Sequence, residues 1–162
     1  MKNCIAILLL CLFSCQPPAE EVQESKESQS SSVTTVYDAE KAKAYGADDY
    51  GMKKMVIAFL YRGPNRSIDS TRAAALQSAH MENIGKLADA GKLLVAGPFF
   101  GDGDLRGIYV FDVQSIAEAE ALTNTDPAIQ AGSLKMDLHE WYGSAAMMAI
   151  PQIHKEIQKI EI

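Results

Sequence analysis

The chain has 162 residues and a formal net charge of −6, with 48% hydrophobic and 22% charged residues. This composition is typical of a globular protein and excludes wholesale disorder. The acidic balance argues against a nucleic-acid partner, because such a partner requires a basic surface.

The N-terminus carries the pattern of a targeting segment. An apolar run at residues 5–13 follows Lys2, and this length is typical of a signal peptide rather than a membrane span. Leu12-Phe13-Ser14-Cys15 resembles the bacterial lipobox. The resemblance implies a lipoprotein signal peptide over residues 1–14, cleavage after Ser14 and a lipid on Cys15. The alternative is an ordinary secretory signal that is cleaved nearby.

The three cysteines, at positions 4, 11 and 15, all belong to this segment. The rest of the chain can therefore hold neither a disulfide nor a cysteine-ligated metal. Gln16 follows the lipidation site where inner-membrane lipoproteins carry Asp. We therefore expect an extracytoplasmic lipoprotein in the cell envelope, with a preference for the outer membrane.

A polar tether and a lead-in segment precede the folded body. Residues 15–36 are rich in Ser, Gln and Glu, which predicts a disordered tether. Residues 37–54 form the lead-in, in which Asp38 and Gly46 predict the start and end of a short helix.

The body alternates strand and helix patterns. Unbroken apolar runs at 55–61, 93–96 and 108–111 predict strands that are covered on both faces. The alternating run at 134–139 predicts a strand at an edge of the sheet or in a half-exposed position. A helix is predicted over residues 70–90. Its apolar stripe comprises Leu76, His80, Ile84 and Leu87.

Two further helix starts lie between the third and fourth strands. Ser115 and Glu118 form a capping-box pattern, and Asp126-Pro127 places a capping residue before a proline at the first helical position. The order β-α-β-β-α-β predicts an α+β, ferredoxin-like fold with a four-stranded antiparallel sheet.

Two helices cover only one face of such a sheet. We therefore expect a second copy to cover the other face and form a homodimer. The alternative cover is the C-terminal extension at residues 150–162, which belongs to a C-terminal helix predicted over residues 147–162. Its apolar stripe comprises Ile150, Ile153, Ile157 and Ile160.

Several motifs together suggest a family. Ala79-His80, residues 90–99, residues 126–132 and His139-Glu140-Trp141 resemble the YCII-related (YciI-like) family of the dimeric α+β barrel group. The corresponding domain spans residues 55–146. The resemblance implies a His–Asp pair, His80 and Asp126, that lines a cleft near the dimer sheet. A few relatives resemble dehydrochlorinases that eliminate HCl from chlorinated aromatic diols.

His80 and Asp126 are the candidate catalytic residues. An imidazole accepts and returns protons at neutral pH, so His80 is a candidate general base. Asp126 is a candidate for orienting the imidazole, and an N-cap role is compatible because it needs only one carboxylate oxygen. The alternative for His80 is a histidine packed in the apolar stripe of its helix.

Five further residues are weaker ligand-binding candidates: Gly97, Pro98, Arg106, His139 and Trp141. Their alternatives are a plain turn for Gly97-Pro98, a solvated charge for Arg106, and dimer packing or an exposed edge for His139 and Trp141. Tyr61, Arg62 and Arg66 mark the exit of the first strand, where loops often bind ligands.

Cofactor motifs are absent from the sequence. The three histidines have no metal-ligand spacing, and neither a phosphate-binding loop nor a dinucleotide fingerprint occurs. We therefore expect no metal and no cofactor. The resulting hypothesis is a lipid-anchored dimer that performs cofactor-free proton transfer or elimination on a small organic molecule. The alternative is a non-catalytic envelope protein that binds a small ligand or serves a structural role.

Overall fold

The structure, a computed structural model, describes residues 36–160. The predicted signal peptide, Cys15 and nearly all of the tether lie outside the described residues. Within them no helix is both long and apolar enough to span a membrane. The elements are α1 (Ala39–Tyr45), β1 (Met52–Arg62), α2 (Ser70–Asp89), β2 (Leu93–Pro98), β3 (Leu105–Phe111), α3 (Ile116–Thr123), α4 (Pro127–Gln130), β4 (Leu134–Ser144), a 3₁₀ turn (Ala145–Ala149) and α5 (Ile150–Ile157).

The four strands form one antiparallel sheet in the order β2-β3-β1-β4. This order and the element sequence confirm the predicted α+β, ferredoxin-like fold. β1 lies inside the sheet and pairs along its whole length with β4. β4 is an edge strand, which is one of the two positions that its alternating pattern predicted.

Side chains just outside the helices fix where the helices begin. Asp69 accepts a hydrogen bond from the Arg72 N–H at the start of α2, and Ser115 accepts one from the Glu118 N–H at the start of α3. α2 ends where Gly91 adopts a φ of 68°, a backbone conformation that favours glycine. These contacts satisfy N–H groups that lack a partner inside the helix.

The face of the sheet that packs against α2 and α3 is called the helix face. On β1 it comprises Val56, Ala58 and Leu60, all at most 4% exposed. They form one core with Leu87 of α2 and Ala119 of α3. Burial of this apolar surface is the main force that holds the helices to the sheet.

The opposite face is called the open face, and on β1 it comprises Met55, Ile57 and Phe59. Met55 is fully buried because Met147 and Met148 of the 3₁₀ turn pack at this end of the face. Farther along, Ile57 and Phe59 are only half-buried. The chain itself therefore covers one end of the open face and leaves the other end partly exposed.

The C-terminal segment covers one end of the open face with other residues than the isoleucine stripe that was predicted as the alternative cover. The predicted C-terminal helix is divided into the 3₁₀ turn and α5, and the two methionines of the turn supply the cover. Ile153 and Ile157 of α5 remain 51% and 75% exposed. The isoleucine stripe is amphipathic, but α5 does not bury it against the sheet.

Gly63 brings the end of β1 close to the segment that follows α4. Its N–H donates to the Ser133 carbonyl at 2.8 Å. A Cβ at this position would collide with backbone atoms of Gly132 and Ser133. This close approach therefore requires glycine.

We expect Gly63→Ala to lower the free energy of unfolding by about 1–3 kcal/mol, because the backbone must shift to admit the methyl group. Urea denaturation checks this value. The matched control is Gly85→Ala in α2, where a Cβ meets no atom within 4 Å. That change removes an interior helix glycine and should raise stability by about 0.5–1 kcal/mol. Equal effects at the two positions would contradict the close approach at Gly63.

Candidate functional site

His80 and Asp126 meet beneath the helices on the helix face. His80 lies on the buried side of α2, and Asp126 precedes the first residue of α4. They are 7% and 0% exposed. His80 Nδ1 lies 2.5 Å from Asp126 Oδ2, within hydrogen-bonding distance. The two residues are therefore held as a buried pair.

The two oxygens of Asp126 have different partners. Oδ1 accepts a hydrogen bond from the Ala128 N–H at 2.8 Å, which caps α4. Oδ2 is left for the imidazole. Since a carboxylate oxygen accepts, Nδ1 carries the imidazole proton in the neutral ring. The carboxylate therefore fixes both the start of α4 and the tautomer of His80.

Tyr109 of β3 closes the other side of the imidazole. Its hydroxyl lies 3.3 Å from His80 Nε2, and the two rings stack with centroids 6.2 Å apart. Because Nδ1 carries the proton, the Tyr109 O–H donates to the Nε2 lone pair. Burial, together with the nearby charge of Asp126, raises the pKa of Tyr109 well above its ordinary value. Tyr109 therefore remains a hydrogen-bond donor at neutral pH.

A second polar contact lies one helical turn from His80. Thr125 donates its hydroxyl proton either to Asn83 Oδ1, 3.0 Å away, or to the Leu122 carbonyl, 2.7 Å away. Asn83 is 8% exposed. The consecutive residues Thr125 and Asp126 thus contact α2 at two successive turns.

The arrangement has the chemistry of an oriented general base. An imidazole held at Nδ1 by a carboxylate can accept a proton at Nε2, and the carboxylate stabilises the imidazolium that results. In the structure the Tyr109 hydroxyl already forms a hydrogen bond with Nε2. A substrate would have to displace this hydroxyl from Nε2 or receive its hydrogen bond.

Gly97, Pro98 and Arg106 lie toward the loop end of the β2–β3 hairpin, where Gly97 pairs with Ile108 and Pro98 with Gly107. Arg106 donates to the carbonyls of Gly101 and Gly103 at 3.1 and 3.2 Å. Its guanidinium thus organises the hairpin loop.

His139 and Trp141 lie on the open face, so the sheet separates them from His80. The register of β4 on β1 places His139 beside Ile57 and Trp141 beside Met55. His139 packs edge-on against Phe59 and lies 3.1 Å from Asp137. A single chain therefore brings His80 and Asp126 together but does not add His139 or Trp141 to their site.

Two adjoining open pockets lie at the exit of β1. Tyr61 and Lys135 line both pockets, whose volumes are about 390 and 370 Å³. Neither pocket is lined by His80 or Asp126. Across residues 36–160, no group of three His, Cys, Asp or Glu side chains is placed to hold a metal ion.

Two members of this site were missed in the sequence. Tyr109 stands inside an unbroken apolar run, which gives no signal for the face on which each side chain lies. Asn83 follows His80 by three residues, and that spacing on the buried side of α2 is a signal that could have found it.

Similarity to known proteins agrees with this fold. The model of the YCII-related domain matches residues 52–141, more than half of the chain. The chain belongs to the YCII-related domain family. The match runs from the first residue of β1 into β4 and includes His80, Tyr109 and Asp126. No curated protein matches the chain significantly.

One solved structure is similar to this YCII-related chain at 22% sequence identity, with a TM-score of 0.39. It is the 5-chloro-2-hydroxyhydroquinone dehydrochlorinase TftG from Burkholderia phenoliruptrix AC1100, in complex with 2,5-dihydroxybenzoquinone. The similarity covers 52% of this chain and 92% of that chain.

We expect Asp126→Asn to move the imidazole proton of His80 from Nδ1 to Nε2. Asparagine keeps an acceptor oxygen for the Ala128 N–H, so the cap persists, but its amide then donates to Nδ1. Long-range ¹H–¹⁵N NMR correlations of the imidazole distinguish the two tautomers. The control is Asp69→Asn at the start of α2, which should leave the tautomer unchanged. The same tautomer in the wild type and in Asp126→Asn would contradict the assignment.

Proposed function

We propose that this YCII-related protein is an enzyme that performs proton transfer or elimination on a small organic molecule without a cofactor. His80 is the general base, and Asp126 orients its imidazole. The observation that carries the proposal is the buried contact of 2.5 Å between Nδ1 and a carboxylate whose other oxygen caps α4. A carboxylate anchored in this way holds the ring with Nε2 directed away from it.

The proposed reaction balances without an external reagent. His80 Nε2 takes a proton from the substrate, and the electron pair of the broken bond forms a new double bond. In an elimination, the leaving group departs with the electron pair of the bond that joined it to the substrate, and the imidazolium then releases its proton to water. In an isomerisation, the imidazolium returns the proton to another atom of the substrate. Asp126 stabilises the imidazolium in both cases.

The proposal predicts base-catalysed exchange of an acidic C–H for deuterium. A panel of small 1,3-diketones and α-hydroxyketones in D₂O, followed by NMR, detects this exchange without knowledge of the natural substrate. We expect the protein to accelerate exchange for at least one compound. His80→Gln should reduce that rate by about 10²–10⁴-fold, the usual contribution of a general base.

The matched control is His139→Gln, the same substitution at a histidine on the opposite face of the sheet. It should retain the wild-type exchange rate. Exchange that survives His80→Gln, or a wild type no faster than buffer across the panel, would contradict the proposed base.

The second candidate function is a non-catalytic protein that binds a small ligand or serves a structural role. The Tyr109 hydroxyl at Nε2 favours it, since both nitrogens of a nearly buried His80 then have partners. The pockets at the exit of β1 also lie apart from this histidine. Under this alternative the polar chain from Tyr109 to Asp126 joins β3, α2 and α4.

We also propose a homodimer through the open face. Its support is the half-buried pair Ile57 and Phe59, which the cover from Met147 and Met148 leaves partly exposed. Apolar surface of this kind, continuous along a sheet, is typical of an interface between copies.

We expect sedimentation of the full chain to show a dimer. Phe59→Glu should shift it to monomer, because the interface would then bury an unpaired charge. Ile157→Glu on α5 is the matched control and should remain dimeric. A wild type that sediments as a monomer would contradict the interface.

We propose, finally, that a lipid on Cys15 anchors the domain to the outer membrane, outside the cytoplasm. The lipobox pattern and the polar residues 16–35 support it. Mass spectrometry of the mature N-terminus should find an acylated Cys15, and Cys15→Ala should release the protein from membranes. An unmodified Cys15, or cleavage elsewhere, would contradict the anchor.

A further inference from the structure

The exit of β1 gathers positive charge in a protein that is negative overall. Arg62 is the last residue of the strand and Arg66 follows it. Together with Lys135 of the neighbouring strand β4 they line a pocket of about 390 Å³. This volume lies within the range of small-molecule sites. The residues that line this pocket include Tyr61, Arg62, Gly63, Arg66, Asp104 and Lys135. Three cations thus face a single carboxylate, although the whole chain has a net charge of −6.

The three cations of the pocket differ in their contacts with acidic and carbonyl groups of the protein. Arg62 is anchored to the β2–β3 loop, where it donates to the Asp102 carbonyl at 3.1 Å and lies 3.5 Å from the Asp104 carboxylate. Among residues 36–160, the ion pairs involve neither Arg66 nor Lys135. The ammonium of Lys135 lies 5.7 Å from the centroid of the Tyr61 ring. Within the described part of the chain, no ion pair engages these two cations of the pocket, so both are available to a ligand.

The loop that carries Arg66 is fixed on both sides. Gly63 packs against the backbone after α4, where a larger residue does not fit. The N–H and side-chain amide of Asn65 donate to the carbonyls of Gly132 and Ala131, and the Asn65 side chain accepts from the Ser67 N–H. A ligand at Arg66 therefore does not have to order this loop, and prior order of this kind favours binding.

We propose that this pocket binds the oxyanion group of a small organic molecule, a carboxylate or a phosphate ester. Arg66 and Lys135 contact the charged group, since guanidinium and ammonium groups are strong donors to such oxygens. Tyr61 provides an apolar wall for the organic part of the ligand. Because neither His80 nor Asp126 lines this pocket, the site does not depend on the function proposed for that pair.

The test is a titration of the full-length protein, followed by ¹⁵N NMR, with benzoate and phenyl phosphate as anions and benzyl alcohol as the neutral analogue. We expect saturable shifts at the backbone amides of residues 61–63, 65–67 and 135 with at least one anion. Benzyl alcohol should bind far more weakly. The preferred anion identifies the charged group, and raising the salt concentration should weaken its binding.

Arg66→Gln and Lys135→Gln should each weaken anion binding about tenfold, the loss expected for one charge-assisted hydrogen bond. Arg72→Gln removes the same charge from the exposed start of α2, outside both pockets, and should change affinity less than twofold. His80→Gln should leave anion binding unchanged, which separates this site from the proposed active site. Three results would overturn the proposal: no saturable anion binding, equal binding of benzyl alcohol, or equal weakening by Arg72→Gln.

Discussion

The carboxylate of Asp126 is the group on which the helix side of this fold depends. It is fully buried, so its oxygens must find partners within the protein. One partner is the first turn of α4 and the other is the imidazole of α2. Tyr109 extends the chain of contacts to β3. One side chain thus links the position of two helices to the chemistry of a histidine, and a change at Asp126 alters both.

Local signals in the sequence were sufficient to predict the helices that carry His80 and Asp126. Asp126 before a proline predicted the start of α4, and the apolar stripe of α2 predicted that His80 is buried. The face on which Tyr109 lies could not be predicted from the local pattern, because every residue of its run is apolar. Only the pairing of β3 with β1, which sets Tyr109 opposite Ala58, places it on the helix face. Strand register depends on contacts between distant segments, so the local pattern does not contain it.

The open face shows where sequence periodicity misleads. The isoleucine stripe of α5 predicted a buried helix side, yet the cover comes from two methionines in a turn that has no regular pattern. The same dependence on register separates His139 from His80. A single residue of shift in β4 would have placed His139 on the helix face. The family motifs therefore follow one another along the sequence without forming a single site within one chain.

The length of β4 has a further consequence for how the protein behaves in solution. Eleven residues of this strand pair on one side only, with β1, and an edge of that kind is a template for aggregation. Lys135, Asp137 and Glu140 are exposed along it. An added strand would have to bury these charges or match them with opposite ones. The exposed charges of this alternating strand therefore also protect its edge from pairing with other chains.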